Sequence, residues 1–365
     1  MNKFDSIRPY NDSEVRPVLK ELVNNQALQD IFFKSSPIFS KFSYIPFKRL
    51  LLKIILNTKI KKINNIADYQ KIFESLVDNV IKESIDEFKV LGIENLNKND
   101  AYIFVSNHRD ITLDSALLNY SLHRNNFKTT NNAVGNNLME ESWASDLMRL
   151  NKSFIIDRAG KSKREIYKSL NLVSEFIFNQ VTEHSESVWI AQKQGRAKDG
   201  IDITDPSVLK MIHLFSRKVM NIGDCLNKLK VVPVAISYEY DPNDLIKARE
   251  VFASINNTTY KKADGEDLKS IADGISKNKG DVLLNIGKQI RFDSESYEEC
   301  ADIITEKINE LYKNHPTNHA AKNLLTNRNY SSQKHQEAIE YLNKQMSHIP
   351  DEMHDIYLKQ YSNSL

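Results

Sequence analysis

Cysteine is nearly absent: Cys225 and Cys300 are the only two in 365 residues, far apart and outside any C-x-x-C pattern. That excludes a disulfide framework and a cysteine-built zinc site, and it reads as an intracellular chain. Excess charge of one sign is also missing, since 50 Lys and Arg face 48 Asp and Glu for a formal net charge of +2. A strongly basic nucleic-acid binder is excluded, and no interleaving of basic and aromatic residues suggests a single-strand binder. No run approaches the ~18 apolar residues of a spanning helix. The opening MNKFDSIRPYNDSEVRP lacks the apolar core and cleavage site of a signal peptide. The expected location is the cytoplasm, with peripheral attachment to the inner face of the membrane left open. The motifs G-x-G-x-x-G, the Walker loop and G-x-S-x-G do not occur, so neither nucleotide binding nor a serine elbow has a sequence basis. His315 and His319 stand four apart, but Pro316 between them and the lack of an acidic or Cys cluster nearby argue against a metal site.

What is present is a change of texture near residue 100. Residues 1–95 carry helical patterns near 14–34, 46–62 and 66–90, the last stopping at Gly92, and almost nothing that reads as a strand. Within them FKRLLLKIILNTKI, Phe47 to Ile60, has the basic flanks of a helix suited to an anionic membrane surface, although the same pattern describes an ordinary packing helix.

From Ala101, short apolar runs alternate with amphipathic ones: AYIFVS and a helix at 114–122, a loop through NNAVGNN and a helix at 140–149, SFIID and a helix at 163–181. SVWIAQ with a helix at 206–220, KVVPVAISY with a helix at 243–252, and DVLLNIG with a helix at 296–313 follow. The stretch Lys261 to Lys279 reads as a helix between two loops. The tail beyond His315 is helical, with breaks at NRNYSS and SHIPDE, and should pack back on the domain. This alternation predicts an α/β fold with a central, mostly parallel sheet flanked by helices. The expected partition is a helical N-terminal subdomain (1–95), an α/β domain (96–314) and a helical C-terminal extension (315–365).

In such a sheet, chemistry collects at the carboxyl ends of strands. The stretch AYIFVSNHRDITLD places His108 at that end, with Asp110 and Asp114 shortly after. A histidine backed by a carboxylate is a general base whose tautomer is fixed. Six residues along a helix is about 240° of rotation, so His108 and Asp114 meet only if His108 lies in the loop and Asp114 in the first helical turn. Asp110 would then be a turn or capping residue. Spacing alone leaves it equally open that His108 is a surface loop residue and both aspartates are helix-start signals.

S-N-H-R-D-x-x-L-D resembles the first signature block of the phospholipid/glycerol acyltransferases, an Asn-His followed by an Asp. KSFIIDR, WIAQKQGR and VVPVAISY resemble the second, third and fourth blocks in the same order, over about residues 101–240. The resemblance implies transfer of a fatty acyl group from acyl-coenzyme A or acyl carrier protein to the hydroxyl of glycerol 3-phosphate or its 1-acyl form, in phospholipid biosynthesis. No cofactor is needed beyond the donor. A helical N-terminal region without spanning helices resembles the soluble glycerol-phosphate acyltransferases and tilts the expectation toward the smaller acceptor. The resemblance implies His108 as base, Asp114 as its orienter, and Arg158 and Arg196 as phosphate ligands. Gly195 would allow close backbone approach, with Asn107 and Lys193 at the substrate. Ser106 would orient His108 or donate to an oxyanion, Pro233 would shape the fourth-block strand, and Lys198 and Arg109 are secondary cations. Two departures stand out. Five residues separate His108 from Asp114, where the family most often has four, and Gln194 replaces a Glu. They support an alternative, a catalytically weak or inactive lipid- or membrane-binding member of the fold.

Overall fold

A computed structural model of the chain describes residues 3–35, 48–136, 142–158, 160, 162–256, 260, 262–263, 265–326 and 332–365. Helices α1 (Asp12–Asn24), α2 (Gln26–Ser35), α3 (Lys48–Ile60) and α4 (Ile66–Ser84) come first. Strands and helices then mix: β1 (Phe88–Leu91), β2 (Ile103–Ser106), α5 (Leu113–Arg124), β3 (Asn131–Gly135), α6 (Ser142–Leu150), β4 (Ser153–Ile156) and α7 (Lys163–Thr182). Next come β5 (Val188–Ala191), α8 (Pro206–His213), α9 (Ile222–Lys228), β6 (Val231–Tyr238), α10 (Asp244–Ile255), α11 (Glu266–Ser276) and β7 (Val282–Ile286). Helices α12 (Tyr297–Leu311), α13 (Pro316–Thr326), α14 (Gln333–Met346) and α15 (His354–Ser362) follow. No helix among the described residues is long and apolar enough to cross a membrane.

The chain folds as two compact units, one of residues 1–76 and 131–173, the other of 77–130 and 174–365. These differ from the linear partition 1–95, 96–314 and 315–365, because packing joins segments that the sequence separates. In the first unit, Asn11 caps α1 by accepting from the Ser13 N–H, and Glu14 reaches back to the Asn11 N–H, a reciprocal capping box. Val15, Val18, Leu19 and Leu22 of α1 then face one side, as their spacing of three and four requires, and bury against Ile63, Trp143 and Leu150. Strands β3 and β4 pair in parallel, Ala133 opposite Phe154.

In the second unit β2 pairs in parallel with β5 and β6, β6 pairs antiparallel with β7, and β7 pairs in parallel with β1. Every residue of β2 and β6 is buried, and their Ile, Val and Phe content suits strands covered on both faces. Helix α10 receives the C-terminal helices: Ala248 packs with Ala320, Ala321, Ala338, Leu342, Tyr357 and Tyr361.

Three expectations are corrected. The helix drawn to residue 90 ends at Ser84, because the Asp86 N–H bonds to the Gly280 carbonyl and FKVL goes on to pair with β7 as β1. Gly92 therefore follows a strand rather than a helix. NNAVG is strand β3, not a loop: the Asn132 N–H bonds to the Lys152 carbonyl, so an outside partner overrides a polar composition. The helix at 206–220 stops at His213, whose buried ring bonds to the Tyr297 hydroxyl (2.8 Å) and the Met220 carbonyl (2.9 Å), and α9 starts anew. The expected start at Phe47, the first residues of the 140–149 helix, Lys261 and most of the NRNYSS break lie outside the described residues.

Asp244, buried at the start of α10, accepts hydroxyl protons from Tyr357 (2.8 Å), Tyr361 (2.9 Å) and Tyr341 (3.3 Å). Burial, reinforced by nearby Asp241, lifts its carboxyl from 3.8 to about 6 against those donors. A carboxyl raised in the folded state contributes stability below its unfolded value and loses it as pH climbs through about 6. Thermal melts of the parent and of Asp244→Asn should therefore diverge in the parent's favour as pH falls from 7.5 to 5; parallel curves would contradict the assignment.

Candidate active site

Strand β2 is central between β5 and β6, and its last residue leads into a loop, Asn107 to Thr112, before α5 begins at Leu113. Asp110 shapes the loop, its Oδ1 accepting from the Thr112 and Leu113 N–H groups, each at 2.9 Å. The first turn of α5 then carries Asp114, whose side chain is fully buried. Asp114 Oδ2 accepts from the Arg109 N–H (2.7 Å), the Asp110 N–H (3.0 Å) and His108 Nδ1 (2.8 Å). Its Oδ1 accepts from the Tyr238 hydroxyl at 2.8 Å. The extra residue between His108 and Asp114 is absorbed in the loop and leaves the pair in hydrogen-bond contact.

An ionised carboxylate only accepts, so the imidazole proton is on Nδ1 and the lone pair is on Nε2. Nε2 makes no hydrogen bond among the described residues, and the side chain keeps 14% of its surface exposed. Trp189 meets the imidazole edge-on, ring centroids 5.9 Å apart at 74°. Burial, then the charges of Asp114 and Asp110, raise the Tyr238 phenol well above its ordinary range, so it stays a donor. Burial and the charge of Asp114 also push the Asp110 carboxyl up, opposed by the Leu113 and Thr112 N–H groups and by the charge of Arg196.

After β5 the chain makes a loop that returns to the site. The Ala197 N–H bonds to the His108 carbonyl at 2.8 Å. Arg109, buried against the Tyr312 ring, donates to Asp202 Oδ2 at 2.5 Å and to the Gly200 carbonyl at 3.4 Å. Burial opposes the guanidinium charge, but Asp202, Tyr312 and Asp241 outweigh it and hold its pKa above the usual arginine range. Gln192 donates to the other oxygen of Asp202 at 3.2 Å. Lys247 of α10 donates to the Arg109 carbonyl at 2.7 Å and pairs with Asp241.

Within this loop Gly195 has φ +77°, and a Cβ there would meet nothing within 4 Å, so the position calls for glycine by conformation and borders open space. Arg196 follows it, and its Nη1 is buried without a hydrogen-bond partner. A buried, unpaired guanidinium nitrogen costs free energy until an acceptor reaches it.

The other expected residues fall differently. Asn107 is not open to a ligand: its amide donates to the Ile236 carbonyl (2.9 Å) and accepts from the Ile236 N–H (2.8 Å), tying the end of β2 to β6. Ser106 is likewise engaged, donating to the Asn107 carbonyl and accepting from Trp189 Nε1. Lys193 reaches across the loop to the Ile201 carbonyl at 2.8 Å, acting as a strut. Lys198 pairs with Glu250. Pro233 lies within β6 opposite Val105, its carbonyl accepting from the Gly287 N–H. Arg158 is half-buried just past β4, in the first unit, whereas the residues from His108 to Arg196 described above belong to the second. His315 is a buried side chain near Ser237 Oγ, and burial, followed by Lys313, depresses it to about 4.

Sequence reasoning missed Tyr238, Asp202 and Lys247. A signal for Asp202 exists in GIDIT: Asp202 and Thr204 are buried while Ile201 and Ile203 are exposed, an inverted alternation that marks a polar interior.

A sequence model of the family described as Acyltransferase matches residues 87–237. No curated protein sequence matches the chain significantly. Among solved structures, the 1-acyl-sn-glycerophosphate (LPA) acyltransferase PlsC from Thermotoga maritima superposes with TM-score 0.38 at 15% identity, over 81% of this chain and 95% of that one. The signal recognition particle receptor FtsY from Elizabethkingia anophelis, in complex with GDP, gives 0.25 at 14% identity, over 83% and 94%. At such TM-scores neither superposition decides fold or chemistry.

The contacts of Asp114 make a test. Tyr238→Phe removes one of its four donors and should lower the unfolding free energy by about 1–2 kcal/mol in urea melts. An unchanged midpoint and slope would mean that the hydroxyl does not serve the carboxylate.

Proposed function

From the match of residues 87–237 to the acyltransferase family we propose that the protein moves a fatty acyl group from an acyl thioester to the hydroxyl of a glycerol phosphate. The donor is acyl-coenzyme A or acyl carrier protein, and the acceptor is glycerol 3-phosphate or its 1-acyl form. The observation that carries this reading is the 2.8 Å contact of His108 Nδ1 with Asp114, which leaves Nε2 as the free basic nitrogen.

The acceptor hydroxyl gives its proton to Nε2 as its oxygen attacks the thioester carbonyl. Asp114 stabilises the imidazolium that forms. The tetrahedral adduct then collapses with loss of the thiolate, which takes the proton back from Nε2. No covalent acyl-enzyme is needed, and the cysteines suit that: both are fully buried, and burial raises the Cys225 thiol and lifts Cys300 to about 11. No cofactor is required beyond the donor. Arg196 holds the acceptor phosphate, since its buried Nη1 lacks a partner and its planar fork matches phosphate oxygens. With the His108 to Asp114 contact intact, the reading of a catalytically weak member rests on Gln194 alone.

Thiol release from acyl-coenzyme A and acyl carrier protein, measured with each acceptor, should depend on acceptor and on His108. His108→Ala should lower kcat by roughly 10²–10⁴-fold. Arg196→Gln should raise the acceptor KM by about tenfold while leaving the donor KM in place. Equal background rates for parent and His108→Ala would favour the binding module over the enzyme.

We further propose that the first unit contacts an anionic membrane through α3. Leu50 and Ile54, one helical turn apart, expose 56% and 55% of their surface, and Lys59, Lys61 and Lys62 are exposed close by. Cosedimentation with phosphatidylglycerol vesicles should exceed that with phosphatidylcholine, and the double variant Leu50→Glu, Ile54→Glu should lose several-fold of it. Equal sedimentation of parent and variant would remove α3 as the contact.

A further inference from the structure

The matched family stretch ends at residue 237, yet residues near 360 touch the loop that presents Arg196. We propose that the end of α15 and Asn363 seat this loop and thereby set how tightly the phosphate-bearing acceptor is held. This rests on the reading of Arg196 as the acceptor ligand.

Within the loop, Lys193 donates to the Ile201 carbonyl and the Ile201 N–H to the Asp199 carboxylate. The loop passes through Gly195 and Gly200, both at positive φ, and between Lys193 and Asp202 its backbone anchor to the dyad segment is the Ala197 N–H on the His108 carbonyl. From one side Arg109 holds the Gly200 carbonyl and Asp202. From the other side comes the tail. Asn363 Nδ2 donates to the Asp199 carbonyl at 2.8 Å. Gly200, at φ +80°, lies so close to the Gln360 carbonyl that a Cβ would stand 2.2 Å from its oxygen. Only glycine fits there, for both conformation and space.

The seat is itself fixed. Gln360 donates to the Asp244 carbonyl (3.2 Å), Tyr361 donates to the Asp244 carboxylate (2.9 Å), and Asn318 donates to the Tyr361 carbonyl (2.8 Å). Helix α10, which carries Asp244, also carries Lys247 and Glu250. Lys247 bonds to the Arg109 carbonyl, and Glu250 pairs with Lys198 of the loop. The contacts form a closed ring from Arg109 through the loop, the tail and α10 back to Arg109. Arg109, Ala197 and Tyr238 share with Gln360 and Tyr361 a cavity of about 20 Å³, room for one water and too small for substrate. The tail therefore acts on the loop rather than on a ligand of its own.

A loop that populates its binding arrangement only part of the time weakens the apparent affinity by that fraction. Losing one positioning hydrogen bond should cost the acceptor roughly three- to tenfold in affinity. The residues at issue are positioning residues, so acceptor binding must move separately from chemistry.

The full chain is compared with Asn363→Ala, with Asn363→Asp, which keeps the shape but loses the donor, and with Gly200→Ala. Asn363 is exposed, so its variants should fold even if Gly200→Ala does not. The expected result is a roughly three- to tenfold rise in acceptor KM, and in the Kd for glycerol 3-phosphate measured by calorimetry without donor. The donor KM and saturating kcat stay within about twofold. A lower thermal midpoint with parental acceptor affinity would make the tail purely structural and overturn the proposal, as would a joint fall of all three kinetic constants. If Arg196→Gln leaves glycerol 3-phosphate binding unchanged and no acceptor-dependent thiol release is seen, the functional reading itself fails and this inference falls with it. If Arg196 and His108 behave as assigned and the tail variants match the parent, this inference alone is wrong.

Discussion

A carboxylate with no exposure to water must be surrounded by donors, and Asp114 has four of them. Two are backbone N–H groups of the loop that precedes it, so the charge dictates the loop's path. A third is the imidazole, which thereby acquires a fixed tautomer. The fourth comes from Tyr238 at the end of β6, so the neighbouring strand is tied to the same charge. Burying an ion in this way is unfavourable unless its lone pairs are filled. Here the filling is also what shapes the site.

The loop that carries Arg196 repeats that logic on a larger scale. Asp202, buried within an exposed Ile-Asp-Ile sequence, draws in Arg109, Gln192 and, at longer distance, the amide of Asn107. Buried Lys247 adds a further pair behind Arg109 with the half-buried Asp241. Polar networks of this kind hold shape well when complete and poorly when one member is missing. Arg196 Nη1 and Arg109 Nε are the guanidinium nitrogens of this region that are buried with their hydrogen-bonding capacity unused.

Much of the dyad was legible in the sequence because its logic is local. A buried strand, a short polar loop and a helix start within a dozen residues leave few ways to fold, and the histidine falls where the strand ends. Strands β1 and β3 were not legible, since FKVL and NNAVG become strands only through β7 and β4. Asn107 and Lys193 were expected at substrate by their position in recurring blocks, but the acceptors they found, the Ile236 and Ile201 backbones, are properties of the folded chain. Tyr238 lies 124 positions from Asp114, and no periodicity announces such a bond. The ties between residues near 200 and near 360 were invisible for the same reason: an exposed asparagine and a glycine carry no sign of whom they meet.

Trp189 touches the imidazole edge-on and donates its indole N–H to Ser106. A protonated imidazole withdraws electron density from an excited indole, while a neutral one does so far less. The chain has one other tryptophan, Trp143, in the first unit. The emission of Trp189 is thus a built-in optical gauge of the charge on His108, readable without substrate, label or turnover.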